Sequence, residues 1–200
     1  MPLSATARVS GSGVEKIETR NVGAFTKIET SGAITLQVTA GQSATAVVVS
    51  GDDNVVTILK TTVTGDVLRI KAAESYNNKL PLVVKIGMPR LIAIDASGAT
   101  KISVSNIDGE RFDLEASGAT TATLGGKVGK FSVSVSGAGR VDAGALAAKN
   151  ADVSVSGAGK VEVNASDKLA VEISGAGTVI YAGSPVITKS ISGVGKVSKK

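Results

Sequence analysis

The sequence predicts an all-β protein, a parallel β-helix with rungs of about 18–20 residues, and three observations carry that prediction. A Ser-Gly-Ala corner recurs at Ser97, Ser117, Ser136, Ser156 and Ser174 and, as Ser-Gly-Val, at Ser192, in steps of 20, 19, 20, 18 and 18 residues. A near-constant period of that length is the signature of stacked structural repeats. Both flanks of each corner alternate apolar and polar residues, and no segment has helical periodicity. Apolar residues make up 42 % of the 200-residue chain but aromatics only 2 %, so the core is built from Val, Ile, Leu and Ala. Such stiff, small side chains fill a narrow pleated interior. A sandwich of hairpins is the alternative, but it needs turn signals every 8–12 residues and gives no reason for identical corners.

Residues 1–13 are mostly small and polar, end in Ser10-Gly11-Ser12-Gly13, and read as a flexible leader before one β-helix domain over 14–200. Its N-terminal β-rich part spans about 14–90 and the regular repeats about 91–198. A first short strand is expected over Val14–Arg20. An early Ser31-Gly32-Ala33, followed by the alternating Ile34–Val38, lies 66 residues before the next corner. The repeat therefore starts, is interrupted by an insertion and resumes. Within the insertion, Thr45–Val49 is expected to meet Val55–Leu59 across a hairpin turn at Gly51-Asp52-Asp53-Asn54, with a further strand at Val67–Lys71 after Gly65-Asp66. Ser75–Lys79 is a polar loop, and Leu91–Ile94 leads into the regular repeats.

Counting from each corner gives the columns. One residue before the serine stand Ala96, Ala116, Val135, Val155, Ile173 and Ile191, and three before it Ile94, Leu114, Val133, Val153 and Val171. After the turn come Ile102, Ala122, Val141, Val161, Val179 and Val197, then Val104, Leu124, Ala143, Val163 and Tyr181. All four columns are predicted to point inward, as one buried face of a coiled sheet requires. The segments returning to each new rung are loops or short strands. An uncovered end of such a column is a template for foreign strands, and the insertion is available to cover one of them. At the other end Lys189 breaks an inward column, and Lys196, Lys199 and Lys200 follow; they discourage end-to-end stacking or form a disordered basic tail.

Composition narrows the chemistry. With no Cys and no His, the chain has no disulfide, thiol nucleophile, Cys/His zinc site or histidine acid/base mechanism. The formal charge of +5 comes from scattered basic residues without aromatic stacking platforms, which argues against nucleic acid as a partner. No apolar run is long enough for a transmembrane helix. Residues 1–5 lack the features of a signal peptide, which fits either a cytoplasmic protein or a chain whose signal has been removed. Gly137–Asp142 lacks the third glycine of a dinucleotide fingerprint, and Gly125–Lys130 lacks the Ser/Thr of a phosphate loop. Asn164-Ala165-Ser166 fits the glycosylation acceptor pattern. The corner serines have no histidine to activate them and are expected to bond to backbone.

Candidate ligand-binding residues therefore lie on outward columns. Lys101, Arg140 and Lys160 follow the corner, and stacked like charges such as Arg140 and Lys160 point to an anion such as an acidic glycan or to a solvated basic face. Asp95, Asp113 and Glu115 lie close on the first two regular rungs, where clustered acids suit a cation or the acid/base pair of a polysaccharide-cleaving enzyme.

Taken together, Glu18–Val22, Phe25–Ile28 before Ser31-Gly32-Ala33, the Asp52-Asp53-Asn54 turn, Gly65–Ile70, Leu91–Thr100, the reiterated Ser-Gly-Ala-Gly and the ending from Gly183-Ser184-Pro185 to Lys196 resemble the head GIN domain family of auto-transporter adhesins from exported bacterial proteins. The resemblance covers nearly all of the chain from about Gly11. It implies a right-handed β-helix in the periplasm or at the cell surface, an adhesin-like role, and a signal or lipoprotein anchor ahead of this chain. It offers no catalytic residue. The expected function is thus non-enzymatic interaction with a glycan, a protein or another envelope component, with no cofactor. A β-helix polysaccharide lyase or hydrolase, and a structural envelope module working as a homo-oligomer, are the alternatives.

Overall fold

The structure, a computed structural model, describes residues 8–200 and is a β-solenoid of about five turns with parallel stacked strands. In chain order the strands are β1 (Val9–Ser10), β2 (Glu15–Arg20), β3 (Lys27–Ser31), β4 (Thr35–Thr39), β5 (Ala46–Asp52), β6 (Leu59–Thr64), β7 (Val67–Ala72), β8 (Tyr76–Asn77), β9 (Val83–Gly87) and β10 (Ala93–Gly98). The regular rungs follow as β11 (Lys101–Gly118), β12 (Thr121–Gly137), β13 (Arg140–Gly157), β14 (Lys160–Gly175), β15 (Thr178–Ala182), β16 (Val186–Gly193) and β17 (Lys196–Lys199). One short helix, α1 (Asp53–Ile58), follows β5.

The corners stack as the period requires. Ser97, Ser117, Ser136, Ser156, Ser174 and Ser192 are successive parallel partners, and the glycines after them keep the same register. Gly157 has φ 114°, and a Cβ there would lie 2.7 Å from the Gly137 carbonyl oxygen directly below. Only glycine meets both conditions, so each corner can sit flat on the previous one. The following amide donates across the step: Ala158 N–H to the Gly137 carbonyl at 3.0 Å and Ala176 N–H to that of Gly157 at 2.9 Å. Backbone, not the serine hydroxyl, carries these bonds.

The predicted inward columns are buried in the regular rungs, apart from the half-buried Tyr181, and open up at the last one. A further column lies five residues before each serine, where Phe112, Phe131, Ala151, Leu169 and Ile187 stack in register. The two phenylalanine rings are stacked with centroids 6.0 Å apart. The return segments are not loops. They continue as strand through β11 to β14, with register shifts at the bends such as Val104/Ile107, where Asn106 takes φ 59°. Each rung thereby gains a third buried face, including Val128, Ala148 and Ala165.

The interrupted repeat is also borne out. Ser31 pairs in parallel with Ser97, and Thr35 with Lys101, so β3 and β4 form the rung beneath β10 and β11. From the insertion, β7 stacks in parallel on β3 and β9 on β4, and the ladder then reverses. Strands β6 on β7, β5 on β9 and β2 on β5 are all antiparallel. This switch ends the parallel stack at the N-terminal side.

Two expectations fail here. Val55–Leu59 does not form a hairpin with Thr45–Val49; Asp53–Ile58 is helical, and β5 pairs with β2 and β9 instead. β-branched Val55 and Val56 favour a strand, but a single helical turn lets both side chains be buried, and burial outweighs intrinsic propensity. Residues 9–13 are not free either. β1 pairs with β8, and the buried Asp52 carboxylate accepts N–H bonds from Gly13 at 2.7 Å, Lys79 at 2.9 Å and Leu80 at 3.0 Å. Residues 1–7 of the expected leader lie outside the described residues.

Asp52 thus ties three segments of the cap. Burial pushes its carboxyl pKa up, but the N–H donors of Leu80, Gly13 and Lys79 together with the Lys79 charge overcome this and leave it below the ordinary aspartate value. A carboxyl lowered in the folded state stabilises fully above its unfolded pKa near about 4, and that stability is lost as pH falls through the folded value. Asp52→Ala is expected to lower the melting temperature by several degrees at pH 7 and to flatten the acid limb below about pH 4. Thermal melts of both proteins between pH 3 and 7 check this; parallel acid limbs would refute it.

Candidate functional site

On the corner's N-terminal side, side chains two and four residues before each serine point away from the core and form one face. The nearer column reads Glu29, Asp95, Glu115, Ser134, Ser154, Glu172 and Ser190, each the register partner of the next. The farther column reads Lys27, Ala93, Asp113, Ser132, Asp152, Ala170 and Thr188. Together they line an open groove of about 610 Å³ running along the stack. Successive rungs offer their side chains at steps of about 4.8 Å.

The structure brings the acidic candidates together here: Asp95 is stacked on Glu115, and Asp113 lies on the same face two residues from Glu115. Their electrostatics differ. Asp113 is held by Arg111 at 2.7 Å, Glu29 by Arg69 at 2.8 Å and Asp152 by Lys130 at 2.6 Å. Asp95, Glu115 and Glu172 have no cationic side chain within 4.0 Å among the described residues. Burial, with the Glu29 carboxylate beside it, pushes the Asp95 carboxyl above the ordinary aspartate range. Among the described residues no three carboxylates converge into a group able to hold a metal ion.

The basic candidates lie on the other side of the corner and do not join this groove. Arg140 and Lys160 are register neighbours, whereas Thr121 separates Lys101 from Arg140. None of the three has a carboxylate within 4.0 Å among the described residues. Asp142 and Glu162 pair two residues beyond Arg140 and Lys160, so this face alternates in sign. Its concentration of positive charge is lower than the basic column alone implies.

Sequence reasoning missed Glu29 and Arg69, which meet across 40 residues of the insertion. It also missed the four-before column of Ser132 and Asp152. Counting back four from each serine exposes that column; nothing local signals the Glu29–Arg69 pair.

A parallel β-solenoid with a capped N-terminal end and polar columns displayed along its length is the class of protein these features define. The chain belongs to the family described as putative auto-transporter adhesin, head GIN domain, which matches residues 24–185. Among solved structures, a putative adhesin from Bacteroides fragilis is similar at 20 % identity and TM-score 0.77, covering 96 % of this chain and 100 % of that one. A putative adhesin from Parabacteroides distasonis is similar at 20 % identity and TM-score 0.65, covering 97 % and 100 %. A putative lipid binding protein from the same organism is similar at 19 % identity and TM-score 0.65, also covering 97 % and 100 %. At these identities the likeness shows the shared fold. No curated protein matches the chain. No helix among the described residues is long and apolar enough to cross a membrane.

Proposed function

We propose that the chain is a non-enzymatic, adhesin-like module acting in the periplasm or at the cell surface, and that its open groove takes an extended ligand, a glycan or a protein segment. The observation that carries this reading is the groove itself, with the unpaired carboxylates Asp95, Glu115 and Glu172 spaced along rows of Ser and Thr hydroxyls. Regular steps of acceptors and hydroxyls suit a ligand with its own repeat, bound by hydrogen bonds rather than by ring stacking. The negative character of the groove favours neutral or amine-bearing ligands and opposes an acidic polysaccharide. Lys101, Arg140 and Lys160 are a second, weaker candidate surface for anionic groups.

The enzymatic alternative finds one supporting feature: a glycosidase needs a raised carboxyl as its acid, and burial raises that of Asp95. An acidic polysaccharide, however, would meet like charge in this groove.

The test is a binding screen against glycans and purified envelope components. Replacing Asp95, Glu115 and Glu172 together by their amides is expected to weaken a groove ligand by about tenfold or more, while neutralising Lys101, Arg140 and Lys160 changes it less than about threefold. The reverse ranking overturns the groove reading. Release of reducing ends or unsaturated sugars from any tested glycan, abolished by Asp95→Asn, overturns the non-enzymatic reading.

A further inference from the structure

The two ends of the solenoid are finished differently. At the N-terminal side the parallel stack is terminated by antiparallel strands and by α1, with Val55 and Val56 buried. At the opposite side β16 pairs only with β14 and β17 only with β15, so one whole rung has a free edge among the described residues. Its core positions are open. Ile191 is 40 % exposed, whereas Ile173, its partner one rung below, is 1 % exposed. Val186 and Val194, exposed by 75 % and 83 %, are not core positions; they continue outward columns over the exposed Lys168 and Ala176 of the rung below.

Lys189 stands in the middle of this open end. It occupies the inward column above the buried Val171, between Ile187 and Ile191. Residues 186–200 carry four lysines and no acidic residue. Of these, Lys200 is paired to Glu162 two rungs below, and Lys189 and Lys196 have no carboxylate within 4.0 Å among the described residues. Lys196–Lys199 is strand, not a disordered tail.

An inward lysine on an edge strand penalises pairing with an uncharged or basic strand. Two copies meeting through this end bring the lysines of both together, and the other end of the molecule offers antiparallel strands and a helix instead of a matching parallel edge. A strand with a carboxylate over Lys189 removes the penalty and gains an ion pair screened from water on both sides.

We propose that this open rung is a strand-addition site, and that its partner is an extended acidic segment of another protein, with apolar residues over Ile187 and Ile191 and a carboxylate over Lys189. The partner continues the parallel ladder as one more rung, its backbone meeting the free edge of β16 and its apolar side chains closing the core. The site is separate from the groove and does not depend on the reading given to it.

The probes are two synthetic peptides copying residues 186–193, one unaltered and one with glutamate in place of its lysine, titrated into the full chain by fluorescence anisotropy. The glutamate peptide is expected to bind with a Kd of about 0.1–1 mM, about tenfold tighter than the unaltered one. Lys189→Glu in the protein, at an exposed position that leaves the fold intact, is expected to reverse the preference, and hydrogen exchange should slow in β16 on peptide binding. Equal binding of both peptides, or no binding at millimolar concentration, overturns the proposal. So does adhesion to phosphatidylglycerol vesicles without peptide binding, which assigns the end to a membrane, or a self-association that the glutamate peptide does not displace, which assigns it to a second copy.

Discussion

Replacing Phe112 by alanine is expected to lower stability by about 3–5 kcal/mol, the usual cost of emptying a buried phenylalanine site. The ring is fully buried and stacks on that of Phe131, with centroids 6.0 Å apart and planes 11° from parallel. Three phenylalanines in the whole chain place two of their number here, on consecutive rungs, and the column continues upward through Ala151 and Leu169. A solenoid cannot close over such a void by shifting one rung, because each rung is pinned by ladders above and below. In urea or thermal unfolding the drop corresponds to roughly 10 °C in a protein of this length. Phe131→Ala should cost a similar amount, and the double variant less than the sum, since each ring already loses its partner in the single variant. Phe112→Leu, which keeps most of the volume, should cost only about 1 kcal/mol. A cost below about 1 kcal/mol for Phe112→Ala would contradict the packing described.

The corners, the four inward columns and the resumption of the repeat after the insertion were readable because period and alternation act locally and leave a residue-by-residue trace. The phenylalanine column obeys the same alternation one step further back; it was overlooked because the return segments vary in length, and counting from the serine recovers it. The helix was not readable. Val55-Val56 looks like strand, and only the rungs it packs against make burial of both valines in one turn worth more than pairing. The anchored state of residues 9–13 likewise depends on Asp52 meeting amides from two distant segments. For the groove, stacking of Asp95 on Glu115 follows from the register, so the acidic candidates were found together. Which carboxylates stay unpaired depended on Arg69, Arg111 and Lys130, whose reach no spacing rule gives.

The alternation between Ser-Gly-Ala-Thr and Ser-Gly-Ala-Gly also has a packing cause, and it yields the second large expected effect. Where the residue before the serine is alanine, Ala96 or Ala116, the position three after the serine is a buried threonine, Thr100 or Thr120. Where it is Val135, Val155 or Ile173, the later position is Gly139, Gly159 or Gly177. A Cβ on Gly139 would lie 2.8 Å from Cγ1 of Val135 in its own rung, and one on Gly177 would lie 3.2 Å from Cγ2 of Ile173 in its own rung and 2.6 Å from Val155 Cγ1 in the rung below. The two positions therefore share one volume inside the corner. Gly139→Thr alone is expected to cost about 2–3 kcal/mol through overpacking, and Val135→Ala alone about 2 kcal/mol through the cavity it leaves. Combined, the pair reproduces the arrangement of the rung below, where the Thr120 hydroxyl donates to the Ser117 carbonyl at 3.4 Å. The double variant should fall short of the summed cost by about 2 kcal/mol or more, a coupling that chemical unfolding of the four proteins in the cycle measures directly. Simple additivity would mean that the corner residue is selected by the turn alone, and that the valine beneath it has no part in the choice.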